Sequence, residues 1–583
     1  MREVEHNEYI DGLRKKTMAH KWEFEADPNI EKTLPSLLED QSEQYSQNTF
    51  LIHGDTDEHI KYNQMDQRAN AFGNSIRELG LSKGEKVSIL SSTPPRVLES
   101  IFGISKAGGV ASPINYEYFG RELSYQLNDT DPEFLVIGTQ YAERLNDVKG
   151  DIEDPPHLIE LDTGESDNEF NDVYESTTYK DLLKNGKTTP PSVDVSWNDE
   201  ALVLYTSGTT GNPKGCVLSH RVAVANQPYP MGDLLNENDA YHSPLPTYHV
   251  SGLGPVWTML HSGGTAVLWD RYSTSDFWDR IHKYDVTVAF LLSVMTDWIY
   301  KQPEQPTDNE NPIKYAVLQP LPDYYKDMAE RFGFDILNAG FGQTETGLPT
   351  QGLVHAAKGE NGTPESHLHG ARPKEILERA EQWGIPIVDE IPGDNWCGLP
   401  GPGIEVTLLN ENDEEVAVGG TGQIAIRPKL PSLILDRYYS KPKQTLEATS
   451  NLWFHTGDLG RKDEDGHYYF VDRMSNIMRR RGENISPQQI EEPLLNLEAV
   501  DQIAVFPVPA QEGGEDEVTV IVMTHEGQDV HADEVFEYLE TELPQYMHPK
   551  YVEVWEEIPL TPTKKVQIEE TKEQFKKKHP DFE

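Results

Sequence analysis

The chain has 583 residues, 36% of them apolar, and 44 glycines. With glycine counted, this lies just under the globular norm, which excludes wholesale disorder and implies roughly three or four compact units, or two large ones. Acidic residues outnumber basic ones 99 to 50, a formal net charge of −49, and this excludes a general binder of nucleic acid or anionic membrane, which needs a broad basic face. The acid is spread along the whole chain and reads as a solvated surface. Such a surface suits a salt-rich cytoplasm, where the Debye length falls to about 3 Å at 1 M. A halophile's protein is expected, and retained fold and activity in dilute buffer would count against that.

The start, Met1-Arg2-Glu3-Val4-Glu5-His6, lacks the basic and apolar runs of a signal peptide. No stretch approaches the roughly 18 apolar residues of a membrane span. A soluble, cytoplasmic protein is expected. The two cysteines, Cys216 and Cys397, allow at most one bridge and fit no metal-ligand spacing.

Residues 1–33 read as a polar, acidic extension over the main body. From Leu34 onward short β-type runs alternate with helical patterns. Lys86 to Leu90 reads as a strand, Pro95 to Ala107 as a helix opened by proline, and Val110 to Ile114 as a strand. The rhythm returns at Ala201 to Tyr205, Val286 to Leu292 and Tyr315 to Leu318, and predicts parallel sheets covered by helices. Residues 151–200, rich in Asp, Glu, Thr and Pro, read as a surface excursion. Residues 348–397 read as an insertion with a helix at Lys374 to Trp383. After about Asp472 two β-type runs, Ile503 to Val508 and Val518 to Met523, precede an amphipathic helix at Asp533 to Leu543. The expected fold is α/β: a large N-terminal body of parallel-rich sheets covered by helices, followed by a small α+β C-terminal domain.

The segment Tyr205-Thr206-Ser207-Gly208-Thr209-Thr210-Gly211-Asn212-Pro213-Lys214-Gly215 directly follows an apolar strand. Its glycines let the backbone turn its N–H groups inward, four hydroxyls add donors, and Lys214 adds a point charge. A polyphosphate needs that combination. It is not a Walker A loop, because Pro213 stands where that motif has glycine.

This loop resembles the phosphate-binding segment of the adenylate-forming enzymes, a superfamily of acyl-CoA synthetases, firefly luciferase and the adenylation domains of peptide synthetases. Further segments resemble the family's motifs in the same order: Lys106-Ala107-Gly108-Gly109, Pro246 to Gly252, Phe341-Gly342-Gln343-Thr344-Glu345, Trp453 to Asp458, Asp472-Arg473, Arg481 to Pro487, and Pro562-Thr563-Lys564-Lys565-Val566. The resemblance implies an adenylation core over 34–471, with the insertion at about 348–397, and a small mobile domain over 472–583 that carries the catalytic lysine.

It also implies two-step chemistry. A carboxylate attacks the α-phosphate of ATP to give an acyl-adenylate and pyrophosphate, and a thiol then displaces AMP. With a pKa near about 4 the acid is already ionised, so no general base is required, and cations and donors should dominate the site. By resemblance Thr206, Ser207, Gly208, Thr209, Thr210, Gly211 and Lys214 cradle the β- and γ-phosphates. Thr344 binds the α-phosphate and Glu345 holds Mg²⁺, a hard, oxygen-preferring ion. Phe341, where the family often has tyrosine, and Gly342 lie against adenine. Asp458 takes the ribose hydroxyls, assisted by Arg473, and Lys565 reaches the reacting α-phosphate. Lys564 replaces the family's usual glycine, and a register shifted by one would give it that role instead. His249 lies near the passage shared by carboxylate and thiol. Gly482 lines the thiol channel, and Arg479, Arg480 and Arg481 either attract CoA phosphates or form surface pairs. Ser475 stands at the hinge where Asp or Lys is usual, and Gln319 to Pro322 depart from the family's Gly-Gly-Ala-Pro.

The implied function is an ATP-dependent, AMP-forming acid–CoA ligase using ATP, Mg²⁺ and CoA. The alternatives are adenylation with loading of a carrier-protein thiol, and a non-catalytic nucleotide-binding protein. The Thr-Pro-Thr-x-Lys-Val ending and the insertion resemble crotonobetaine/carnitine-type CoA ligases, and the pocket stretches at His249 to Gly254, Leu291 to Thr296 and Asn338 to Gly342 suit a fatty or other modest organic acid.

Overall fold

The computed structural model describes residues 28–579 apart from 165–168, 207–212, 227, 358–361, 475–477, 481–482, 486, 510–515, 526, 544–546 and 561–565. It gives only the backbone of 28, 228–229, 293–294, 479–480, 483–484, 489 and 509. The described residues divide into two compact units: those of Met1–Ser207, Pro213–Val406 and Ile426–Phe454, and those of Thr407–Ala425 and His455–Glu583.

In the first unit one sheet runs in the order Arg437–Tyr438, Lys214–Ser219, Glu200–Thr206, Val110–Pro113, Lys86–Leu90, Phe134–Gly138, His157–Leu161 and Ser176–Thr178. The strands from Glu200–Thr206 onward pair in parallel. The first two add antiparallel. Every residue of Phe134–Gly138 is buried, as expected of a parallel strand covered on both faces. One covering helix, Pro94–Lys106, starts with proline at its first turn, where the missing N–H costs nothing. It packs so closely on the helix Tyr62–Glu78 that a Cβ on Gly103 would come within 2.6 Å of the Phe72 ring. Its Glu99 is fully buried, and Arg68 (2.6 Å), Arg96 (2.5 Å) and the Tyr179 hydroxyl (3.0 Å) all donate to its carboxyl group, so its oxygens are partnered.

Tyr179 belongs to the stretch 151–200, and here the expectation of a surface excursion is corrected. Leu158, Ile159, Leu161, Tyr174 and Leu182 are buried, and the stretch supplies two strands and the helix Tyr179–Asn185 to the covered sheet. Strands of three to five residues between acidic loops are too short to give a readable alternation.

A second sheet of this unit runs Glu58–Lys61, Thr49–His53, Thr265–Leu268, Ala240–Ser243, Val288–Leu292, Tyr315–Gln319, Ile336–Gln343, Gly347–His355 and Trp396–Pro400. From Thr49–His53 to Ile336–Gln343 the pairs are parallel, while Glu58–Lys61 at one edge and Gly347–His355 and Trp396–Pro400 at the other add antiparallel. The polar stretch 348–397 therefore opens inside a buried strand, and its helix is found at Pro373–Gln382. A fully buried ion pair ties this stretch to the sheet. Lys314 Nζ lies 2.6 Å from Asp239 Oδ1 and also donates to the His369 carbonyl. Asp239 further accepts from the Thr287 hydroxyl (2.7 Å) and the Ala371 N–H (3.0 Å).

In the second unit the strands Phe454–Lys462 and Tyr468–Arg473 pair antiparallel. A three-stranded sheet of Val500–Pro509, Asp516–Thr524 and Tyr551–Val554 follows. Alternate residues of these strands enter separate cores, as a period of two dictates. Ile503, Val505, Val518, Val520 and Val522 pack with Ile490, Leu494, Val535 and Leu539 from the helices Pro487–Leu494 and Ala532–Glu542. Ala504, Phe506, Val508 and Ile521 pack with Phe575 from the helix Ile568–Lys578. Among the described residues no helix is long and apolar enough to cross a membrane, and both cysteines are buried thiols.

Candidate active site

Open α/β sheets place ligands beyond the carboxyl ends of their strands. The phosphate-loop segment leaves the carboxyl end of Glu200–Thr206, and Lys214 opens the next strand. Thr206 and Lys214 face each other across this antiparallel pair, and the Thr206 hydroxyl donates to the Lys214 carbonyl (3.4 Å). The foot of the loop is held from behind as well. The Tyr125 hydroxyl donates to the Pro213 carbonyl (3.0 Å), and the buried Tyr205 hydroxyl donates to Asp129 (2.9 Å), which also pairs with Lys441. Ser207, Gly208, Thr209, Thr210 and Gly211 lie outside the described residues.

Thr344 and Glu345 form the turn between Ile336–Gln343 and Gly347–His355. Gly347 closes it at φ +65°, and a Cβ there would meet the Asn226 side chain at 2.5 Å, so the turn requires glycine on both counts. Phe341 and Gly342 sit on the strand just before. The Phe341 side chain is 7% exposed, whereas Gly342 is open to solvent.

One residue that sequence reasoning missed joins loop and turn. Tyr438, on a two-residue strand registered opposite Cys216, donates its hydroxyl to Glu345 Oε1 at 2.9 Å. Its ring carries the Lys214 ammonium 4.8 Å from the centroid. Backbone bonds fix this bridge, from the Leu435 N–H to the Glu345 carbonyl (2.7 Å) and from the Tyr439 N–H to the Gly215 carbonyl (2.7 Å). Burial and the Glu345 carboxylate push the Tyr438 phenol far above its usual pKa, so it stays a donor. The same two causes push the Cys216 thiol well up, so it does not compete as a soft metal ligand. What remains at the turn is a half-buried carboxylate and the Thr344 hydroxyl, hard oxygen donors that fit Mg²⁺, an ion that keeps several waters and phosphate oxygens of its own.

The profile of the AMP-binding enzyme family matches residues 38–433, and that of the AMP-binding enzyme C-terminal domain matches 489–565. The chain belongs to the AMP-binding enzyme family. This AMP-binding enzyme is similar to the crotonobetaine/carnitine–CoA ligase of Salmonella agona (strain SL483), 26% identical over 541 residues, covering 91% of this chain and 96% of that one. ATP-bound MatB from Rhodopseudomonas palustris shares its fold with a TM-score of 0.76 at 20% identity, over 94% of this chain and 99% of that one. The Bacillus subtilis o-succinylbenzoate–CoA synthetase MenE, in complex with ATP and magnesium ion, gives a TM-score of 0.72 at 20% identity, over 93% and 100%. The expected fold class, a large α/β body with a small C-terminal domain, is the one found.

The remaining expected residues of this AMP-binding enzyme fall as follows. His249 caps the helix Val250–Ser262 and is exposed, its ring 4.4 Å from that of Tyr248, which meets Tyr116 edge-on at 5.1 Å. In the second unit Asp458, 4% exposed, stands opposite Arg473 in register, with Nε to Oδ1 at 3.6 Å. Its own N–H donates to the Thr456 hydroxyl (3.1 Å), and Gly457 adopts φ +74° to make that turn. Arg479 and Arg480 are described only as backbone, in a hairpin with Glu483–Ile485, while Arg481, Gly482 and Ser475 lie outside the described residues. Lys564 and Lys565 also lie outside them. The segment that holds them is flanked by a Leu560–Val566 bridge and a bond from the Gln567 N–H to the Pro559 carbonyl (2.9 Å).

Proposed function

We propose that this AMP-binding enzyme is an ATP-dependent acid–CoA ligase that forms an acyl-adenylate, releases pyrophosphate, and passes the acyl group to the CoA thiol with release of AMP. The observation that carries the reading is the Tyr438 bridge, which joins Lys214, at the end of the hydroxyl-and-glycine segment, to the Glu345 carboxylate of the Thr-Glu turn. Lys214, Thr206 and the loop between them bind the β- and γ-phosphates. Thr344 orients the α-phosphate toward the incoming carboxylate, whose ionised state removes any need for a base. When bound through Glu345, magnesium neutralises phosphate charge. Asp458 holds the ribose, and Lys565, borne by the C-terminal unit, meets the charge that develops on the α-phosphate. Arg479, Arg480, Arg481 and Gly482 face CoA, and His249 borders the acyl passage. ATP and CoA are cytoplasmic pools, so the cytoplasm is the proposed compartment.

ATP–pyrophosphate exchange with a panel of carboxylic acids, followed by CoA consumption, tests this. The ligase reading predicts acid-dependent exchange and a thioester when CoA is added. Exchange without CoA consumption favours loading of a carrier thiol, and nucleotide binding without exchange favours the non-catalytic reading.

A further inference from the structure

We propose that the acid used by this enzyme bears an uncharged hydrogen-bonding group, a hydroxyl or a carboxamide, at its far end, and that Asn338 and Gln351 recognise it. The inference rests on the ligase reading and goes beyond it in naming the chemical class of the acid.

Asn338 lies within the strand that leads to the Thr344–Glu345 turn, and its side chain is 99% buried. Its Oδ1 makes no hydrogen bond, and its Nδ2 has only a loose one, to the Tyr315 hydroxyl. It lies beside the Tyr315 hydroxyl, whose proton goes to the Met231 sulfur at 3.6 Å, a weak acceptor. On the adjacent strand Gln351, 4% exposed, has an unpaired Oε1. Buried polar groups in folded proteins are nearly always paired, and an unpaired one needs an explanation. Here two amides on one sheet face share the defect. Gln351 is registered opposite Gly340, and Asn338 opposite Leu353 two residues further along, so the two side chains point the same way as diagonal neighbours.

The same face leads to the chemistry. The next positions after Asn338 on it are Gly340, partly exposed, and Gly342, exposed. The Leu348 side chain packs over both on this face, 2.9 and 3.3 Å from where their Cβ atoms would stand, and gives it an apolar surface. From Asn338 to Gly342 this lane is about 13 Å long at about 3.3 Å per residue. A carboxylate at the turn thus has an apolar run behind it and two amides with unpaired oxygens at the end. Val317 and Phe290, in register with Asn338 on this face, carry no charge, so these two neighbours offer a second carboxylate or an ammonium no counter-ion. A hydroxyl or carboxamide both donates and accepts, and satisfies both atoms of Asn338.

The test is ATP–pyrophosphate exchange by the full chain with length-matched acids of six, eight and ten carbons. Each alkanoate is compared with its ω-hydroxy and ω-carbamoyl analogue. A site built to pair a polar group discriminates strongly against the analogue lacking it. The expected result is at least about a tenfold higher kcat/KM for a polar-ended acid than for its alkanoate at one of these lengths. Asn338→Leu, and independently Gln351→Met, should shrink that ratio while leaving the KM for ATP unchanged. Asn338→Leu should also raise the Tm of the ligand-free protein by a few degrees, because it deletes a buried amide oxygen without a partner. Exchange in which the alkanoates are used as well as or better than their polar analogues at every length overturns this inference alone. A polar preference that neither substitution alters removes Asn338 and Gln351 from the recognition. No exchange with any acid overturns the ligase reading and this inference with it.

Discussion

Tyr438→Phe is the sharpest perturbation that the geometry offers, because it removes one oxygen and leaves the ring under Lys214. The lost bond, Tyr438 hydroxyl to Glu345 Oε1 at 2.9 Å, is a neutral donor on a carboxylate. Such bonds contribute about 1.5–3 kcal/mol, which corresponds to about 10- to 150-fold in an equilibrium constant. Groups that orient a metal-holding carboxylate typically cost about 10- to 100-fold in metal affinity or activity when lost, so the two scales agree. The assay is exchange measured against Mg²⁺ concentration. Tyr438→Phe should raise the half-saturating Mg²⁺ by about tenfold or more at nearly unchanged KM for the acid. Tyr438→Leu, which also removes the ring 4.8 Å from Lys214, should in addition weaken ATP binding, since a cation–π contact contributes about 0.5–2 kcal/mol. A Tyr438→Phe enzyme with the wild-type Mg²⁺ dependence would refute Tyr438 as a positioning residue for Glu345.

Asp458→Ala should weaken ATP binding by about tenfold or more through loss of charged hydrogen bonds to the ribose, read by nucleotide titration, and an unchanged affinity would remove Asp458 from that site. Lys565→Ala should abolish adenylation while sparing thioester formation from supplied acyl-adenylate. Full adenylation in that variant would move the role to Lys564 or elsewhere. Burial raises the Asp335 carboxyl from its ordinary 3.8 to about 6. The folded state therefore holds a proton that the unfolded state has lost between those values, and stability falls as pH rises through that window. Asp335→Asn should remove up to about 3 kcal/mol of that fall, measured by denaturant titration at both ends of the window, and identical slopes for the two proteins would contradict it.

Much of this was legible because the informative residues are close in sequence. Lys86–Leu90 is a strand at the residues expected, since a central parallel strand is a bare apolar run. The loop at 205–215 announces itself by composition, whereas the turn at 341–345 is legible only through its resemblance to the family's motif. Tyr438 did not, because its meaning depends on a two-residue strand docking more than two hundred residues from its partner, Lys214–Ser219. Asn338 was included only as part of a pocket stretch. An asparagine inside a strand carries no message until the packing around it shows its Oδ1 buried without a partner. The strands at His157–Leu161 and Ser176–Thr178 were hidden by acidic flanks that belong to solvent, although the strands themselves belong to a covered sheet.

The most direct measurement of the central claim follows all the products of one reaction containing ATP, a polar-ended acid that supports exchange, and CoA. The account predicts AMP, pyrophosphate and acyl-CoA in equal amounts, with acyl-adenylate accumulating when CoA is withheld. ADP and phosphate in place of AMP and pyrophosphate, or AMP formed at the same rate without any acid, would contradict it.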